Sequence, residues 1–300
     1  MSYREHPVFF PSGQEHLCAV VCVPTGDLKD LGVVLLSGGN ITRTHRNSMW
    51  VRAAREMADR GIASIRFDYH GIGDSTVGSE TEFDLDAPFE GDVIAAAGFL
   101  RRATGVTGLA LVATCFGART ALVVAAEQPD VLAMTLFPAP LMSGGRLGTR
   151  RRIRRRLRGT GLGKFLRANP LRRWLRRTLR RGRPGGAAPP ATRAAAKGVS
   201  PLVIRALLRF LRRGGTVSFV YGERGSHLEG LRAAVAAVTP ELAPQQRERL
   251  RVEIIENVGL QFFAMAEQDI AVRWAVKTVE EFSASLPGGD RREPDSVDAS

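Results

Sequence analysis

The chain has 300 residues, 44% of them hydrophobic, with 43 Lys and Arg against 30 Asp and Glu for a formal charge of +13. That length and apolar content support one sizeable core with room for an inserted subdomain, and exclude an intrinsically disordered chain. No apolar run reaches the 18 residues of a membrane span, residues 1–6 lack the basic-then-apolar pattern of a secretory leader, and cysteines at 18, 22 and 115 make neither a zinc spacing nor an even disulfide framework. A cytoplasmic protein without metal or cofactor is the expectation.

Taken in chain order, Pro7–Phe10 and His16–Val23 read as an opening antiparallel strand pair. Further strands are expected at Gly32–Ser37, Ala63–Tyr69, Leu109–Ala113, Ala133–Pro138, Thr216–Tyr221 and Arg251–Glu256. Helical patterns alternate with them at Met49–Arg60, Phe89–Arg102, Ala118–Glu127, Leu228–Val238 and Glu267–Phe282. Short buried strands alternating with helices imply an α/β fold, a mostly parallel doubly wound sheet covered on both faces. The C-terminal strand ends then line one edge, where sites form.

The charge is unevenly spread. Between Val131 and Gly222 there is no Asp or Glu, yet more than half of the chain's Lys and Arg lie there, so the remainder is net acidic. Four parts are expected: a core at 1–142, an Arg-rich helical insertion at 143–200, the second part of the core at 201–285, and a polar tail at 286–300. Within the insertion, Leu157, Leu162, Phe165, Leu166, Leu171, Trp174, Leu175 and Leu179 fall at helical spacings, with a break at Asn169-Pro170 and a linker at Gly182–Pro190. Three readings stay open for it: a solvated cationic face on an active-site lid, docking to an acidic carrier protein or anionic membrane through Arg172, Arg173, Arg176 and Arg177, or nucleic-acid binding. The last is the weakest, because no aromatic residues interleave with the charges.

The most informative stretch is Leu109–Ala118, an apolar strand that stops at Ala113-Thr114-Cys115-Phe116-Gly117 before a helical segment. Strand, tight turn and helix in that order form the context of a nucleophile elbow, with Cys115 at the exposed position. A thiol needs less help than a serine hydroxyl, because a few per cent is already thiolate at neutral pH. The helix N-terminus, aided by nearby arginines, is expected to lower its pKa further. The backbone N–H of Phe116, with Gly39 and Asn40 from the turn after the first core strand, would form an oxyanion hole. A buried, inert Cys115 is the competing reading.

These residues resemble the α/β-hydrolase family, and more narrowly the bacterial acyl-hydrolase-like proteins associated with exosortase systems. The likeness rests on Gly38-Gly39, Thr44-His45-Arg46, Phe67–Ser75 (Phe-Asp-Tyr-His-Gly-Ile-Gly-Asp-Ser) and the Cys115 elbow. It implies an α/β-hydrolase fold and acyl chemistry on an ester or thioester. Where that family ends its last core strand with a catalytic His, this chain has Leu260, and no His follows His227. Its acid after the strand Thr216–Tyr221 is likewise displaced, leaving Glu223 or Glu229 as substitutes. His45 is the first candidate for a base, with His70 and His227 behind it, while Asp68 and Asp74 are read as bonding their own Gly-rich turn. The expected activity is acyl hydrolysis or transfer through a Cys115 acyl-thioester. The alternative is a pseudo-hydrolase acting as a binding or scaffolding protein.

Overall fold

Eight strands form a single sheet in the order β1-β2-β4-β3-β5-β6-β7-β8. The computed structural model describes residues 2–75, 83–143, 198–225, 227–259, 262 and 264–286. β1 (Tyr3–Ser12) and β2 (Glu15–Pro24) are an antiparallel hairpin turned at Gly13, and β2 also runs antiparallel to β4 (Ser64–Phe67). The other pairings, through β3 (Leu31–Leu36), β5 (Gly108–Ala113), β6 (Val131–Leu136), β7 (Thr216–Gly222) and β8 (Leu250–Ile255), are parallel.

Every residue of β3, β4 and β5 is buried. Their apolar runs are continuous because helices cover both faces of the sheet. On one face α1 (Met49–Ala58) and the final helix α6 (Met265–Ser285) pack Trp50, Met57, Ala275 and Val279 against β3 and β5. On the other, α2 (Glu90–Thr104), α3 (Cys115–Glu127), α4 (Pro201–Arg212) and α5 (Leu228–Val238) contribute Leu100, Leu122, Phe210 and Leu231. No helix among the described residues is long and apolar enough to cross a membrane.

The sequence-based elements hold, with three differences. The opening hairpin is longer than expected, and α3 begins at Cys115 itself. Helix α4 was not anticipated. Its signals were present, with Pro201 in the first turn and Val203, Ala206, Leu207, Phe210 and Leu211 on one buried stripe, but they follow directly on the arginine-rich run that dominates this region. The insertion's expected helices, its linker and Arg172, Arg173, Arg176 and Arg177 lie outside the described residues, as does the tail beyond residue 286.

The base of that insertion is well defined. Met142 and Val199 form an antiparallel bridge, Ser143 N–H donates to Gly198 O at 2.6 Å, and Ser200 N–H donates to Leu141 O at 3.0 Å. The chain therefore leaves and re-enters the core at adjacent points. Arg119, on α3 one turn beyond Cys115, is fully buried beneath this stem. Its guanidinium donates to Leu85 O (2.7 Å), Pro140 O (2.9 Å), Met142 O (3.2 Å), Ser200 Oγ (2.8 Å) and the Asp86 carboxylate (2.8 Å). Three chain segments that no local rule brings together are held on one side chain.

Replacing Arg119 by Met keeps the volume and strands those carbonyls. Each buried acceptor left without a donor costs about 1–3 kcal/mol, so urea denaturation of Arg119→Met should show a loss of about 3–5 kcal/mol. An unchanged midpoint would contradict this role.

Candidate active site

The strand-to-helix turn is strained where the sequence places its nucleophile. Thr114 is extended, and Cys115 then adopts φ 49°, a left-handed conformation that costs a non-glycine residue about 1–3 kcal/mol. Two backbone bonds over-determine it: Thr114 N–H to Leu36 O and Cys115 N–H to Pro138 O, both 3.1 Å. Gly117 lies so close to the end of β3 that a Cβ there would fall 2.9 Å from Leu36 O and nearer still to Ser37 O. Only glycine fits that position. Phe116 faces the other way, meeting Tyr69, Phe83 and Phe89 edge-on at centroid distances of 6.1, 4.9 and 5.2 Å.

The loop after β3 runs across the elbow. A Cβ on Gly38 would lie 3.2 Å from Cys115 Cβ, and one on Gly39 would lie 3.0 Å from the Phe83 ring. Asn40, His45, Asn47 and Ser48 all have positive φ, so strain is concentrated within nine residues of loop. His45, at φ 58° and ψ 176°, occupies a region that is essentially glycine-only. Such outliers collect where a site fixes its geometry at the expense of stability.

Buried Asp68 pins this loop from below. It receives the Arg43 backbone N–H and guanidinium, and the Asp74 N–H at 3.2 Å, while Arg43 also reaches Asp74 at 2.8 Å. Ser75 Oγ donates to Asp68 O at 2.7 Å and accepts the Cys18 N–H at 2.8 Å. Asp68 therefore bonds its own turn, as expected, while the Asp74 carboxylate pairs with Arg43 from the loop after β3 instead. The one grouping of metal-type donors among the described residues, Cys18, Asp68 and Asp74, has the Arg43 guanidinium on both of its carboxylates.

Between elbow and loop lies a cavity of about 230 Å³, lined by Cys115, Thr114, His45, Gly38, Gly39 and Asn40 on its polar side and by Met49, Phe137, Pro138, Phe262 and Ala271 on its apolar side, with Ile41 and Arg46 also contributing. The Gly39 and Asn40 N–H groups have no acceptor among the described residues, and the Phe116 N–H points at the Cys115 sulfur. Of the donors expected for an oxyanion hole, Gly39 and Asn40 thus line the cavity with Cys115, and the third, Phe116, is held at the sulfur.

The electrostatics depart from expectation. Burial pushes the Cys115 thiol up, and the Phe116 N–H offsets this only in part. Among the described residues no arginine acts on it, and the helix N-terminus does not overcome desolvation, so Cys115 rests as a neutral thiol. His45 is likewise neutral: burial, with a smaller contribution from Arg46, drops its pKa to about 4. Its Nε2 pairs with Thr114 Oγ1 at 3.2 Å and its buried Nδ1 has no partner. The ring leans on Trp50, centroids 5.4 Å apart.

The other candidates are elsewhere. Glu223 is exposed and does not line the cavity; its carboxylate accepts the Asn257 N–H at 3.4 Å and so braces the loop after β8. Glu229 is exposed on α5. His70 pairs with buried Asp92 at 2.7 Å and stacks on Phe89, and His227 sits at the start of α5 outside the cavity lining. Leu260 lies outside the described residues. Among the described residues the expected acid is thus not found beside His45.

Three residues were missed by the sequence reading. Thr114, partner of His45, was visible only as the unremarked second position of the elbow. Glu267 accepts the Gly259 N–H at 2.7 Å and the Ala264 N–H at 3.3 Å, closing the loop that carries residue 260; its signal was the Glu at the third position of a helix start. Arg119 had no signal, since an arginine on an apolar helix reads as a solvent-facing residue.

Comparison with protein-family profiles and with curated proteins finds no match for this sequence. Solved structures do match over nearly the whole chain. TT1662 from Thermus thermophilus aligns with a TM-score of 0.60 at 15% identity, covering 96% of this chain and 100% of its own. The esterase Pf2001 of Pyrococcus furiosus gives 0.57 at 15%, covering 94% and 93%. An α/β serine hydrolase homologue from Coxiella burnetii gives 0.58 at 12%, covering 91% and 96%. With the strand order and the elbow, these define the chain as an α/β-hydrolase fold. At such identities the likeness extends to the fold alone.

Two pH dependences follow. Above pH 6.5 His45 is neutral whether the chain is folded or not. As pH falls from 6.5 towards 4 the unfolded chain takes up a proton that the folded one refuses, so stability should drop by up to about 3 kcal/mol. Denaturation curves of His45→Gln should show a shallower fall across that window. The alkylation rate of Cys115 by iodoacetamide should still be climbing at pH 9, because the thiol titrates above its ordinary value. A plateau near neutrality would contradict the raised pKa.

Proposed function

We propose that this protein is an acyl hydrolase or acyltransferase that works through an acyl-thioester on Cys115. What supports the reading is a strained elbow thiol, with the Phe116 N–H directed at its sulfur, in a largely apolar cavity that Gly39, Asn40 and a neutral imidazole also line. In the reaction the Cys115 thiol attacks the carbonyl of an ester or thioester, forming the S–C bond while its proton passes to His45. The oxyanion collects the N–H groups of Gly39, Asn40 and Phe116, each such donor worth about 3 kcal/mol in comparable sites. Expulsion of the alkoxide or thiolate breaks the original acyl bond, and His45 returns the proton to it. Because thiol and imidazole both start neutral, charge develops only during attack, where a dry site stabilises it most.

Transfer is favoured over rapid hydrolysis. Exchange of one thioester for another is near thermoneutral, whereas hydrolysis needs an activated water and a base held in orientation. Among the described residues no carboxylate holds His45, whose Nδ1 is unpartnered. That same observation favours the second reading, a pseudo-hydrolase that binds acyl groups without reacting.

Incubation with a small acyl-thioester or p-nitrophenyl acetate separates the two. The wild type should gain one acyl group by intact-protein mass spectrometry and Cys115→Ala should gain none, with folding unchanged. His45→Gln should slow acylation by about 10²–10⁴. Binding without any adduct on the wild type would reject the enzymatic reading in favour of the second.

A further inference from the structure

The two edges of the sheet are built differently. β1, at one edge, carries Pro7 and Pro11, residues that discourage another strand from adding. β8, at the other, has no proline, pairs only with β7 among the described residues, and exposes Val252 (39%) and Ile254 (40%). Val217 N–H bonds to Arg249 O and Glu223 N–H to Ile255 O, so the odd-numbered residues of β8 turn their backbone groups toward β7. The N–H and C=O groups of Leu250, Val252 and Ile254 therefore face the open edge, on the residues whose apolar side chains share one face of the strand.

We propose that β8 pairs with β8 of a second copy, antiparallel about a two-fold axis through Val252. This is independent of the acyl chemistry proposed above. The register is selected by charge. With Val252 opposite Val252 of the partner subunit, Leu250 meets the partner's Ile254, and Arg251 meets the partner's Glu253, twice by symmetry. Sliding by two residues, the smallest step that keeps the outward backbone groups of both strands facing each other, places Arg251 opposite the partner's Arg251 or Glu253 opposite the partner's Glu253, and like charges directly opposed are destabilising. In the chosen register the outward backbone groups fall into hydrogen-bonded pairs, giving about six inter-subunit bonds. Arg251 already lies 3.5 Å from Glu281 on α6 and Glu253 is half-buried beside it on the same face. The pairing joins two sheets into one and covers the exposed apolar pair.

Light scattering after size exclusion, at micromolar concentration, tests this on the full chain. The wild type should elute at twice the 32.6 kDa chain mass. Arg251→Glu and Glu253→Arg should each run as monomers with unchanged circular dichroism, because each places like charges opposite one another. Mixing the two monomeric variants should restore a dimer containing one copy of each, since the charges are then complementary on both sides of the axis. The double variant should dimerise by itself. A monomeric wild type, as when the chain's own residues 287–300 or another partner cover the edge, would overturn the proposal. So would a dimer that either single variant leaves intact, or single variants whose mixture stays monomeric.

Discussion

The site is built on one close approach, that of α3 to the end of β3. Gly117 lets the helix backbone come within a side chain's thickness of Leu36 and Ser37, and the same contact lets Thr114 donate to Leu36 O. A helix that starts this close to a neighbouring strand cannot follow β5 smoothly, so the chain turns through Cys115 in a left-handed conformation. The turn lifts the sulfur off the sheet edge and points the Phe116 N–H at it. One helical turn later the same constraint delivers Arg119 beneath the stem of the insertion, where it ties α3 to Leu85 and to both strands of the stem. The nucleophile turn and the base of the insertion are thus one mechanical unit.

Apart from Arg46, charge is arranged around the cavity rather than in it. Asp68 with Arg43, Asp92 with His70, and Asp86 with Arg119 each fix a segment of the wall, and none lines the cavity. Apart from Arg46, what faces inward is neutral: a thiol raised by burial, an imidazole lowered by it, the Gly39 and Asn40 amides and the side chains of Met49, Phe137 and Phe262. A low-dielectric cavity of this kind strengthens whatever electrostatic interaction forms inside it. It differs from an arrangement in which a thiolate and an imidazolium pair in the resting state, where both groups would show shifts of the opposite sense.

The strain in the loop after β3 belongs to the same design. Four non-glycine residues with positive φ persist because Asp68 holds Arg43, Ser37 Oγ holds Thr42 O at 3.0 Å, and Trp50 packs on His45. The loop is too tightly held to relax, so His45 enters the cavity at a conformational cost.

The sequence by itself determined the sheet, its covering helices other than α4, the elbow and the Asp68 turn. Those features arise from physics that acts within a few residues: hydrophobic periods, glycine where backbones meet, an aspartate reaching its own turn. It also singled out His45, Gly39 and Asn40, which line one cavity with Cys115, and Phe116, whose N–H is directed at the sulfur. Tertiary structure decided what those groups do. Whether Cys115 is a thiolate depends on how deeply it is buried, and desolvation there outweighs the helix end that a local reading favours. Glu223 follows its strand as expected, yet Asn257, more than thirty residues away, takes its carboxylate for the loop after β8. His45 meets Thr114 across 69 residues of chain, and Arg119 finds its partners across as many as 81. Burial and the identity of a distant partner are properties of the packed chain, because both depend on segments that only folding brings together.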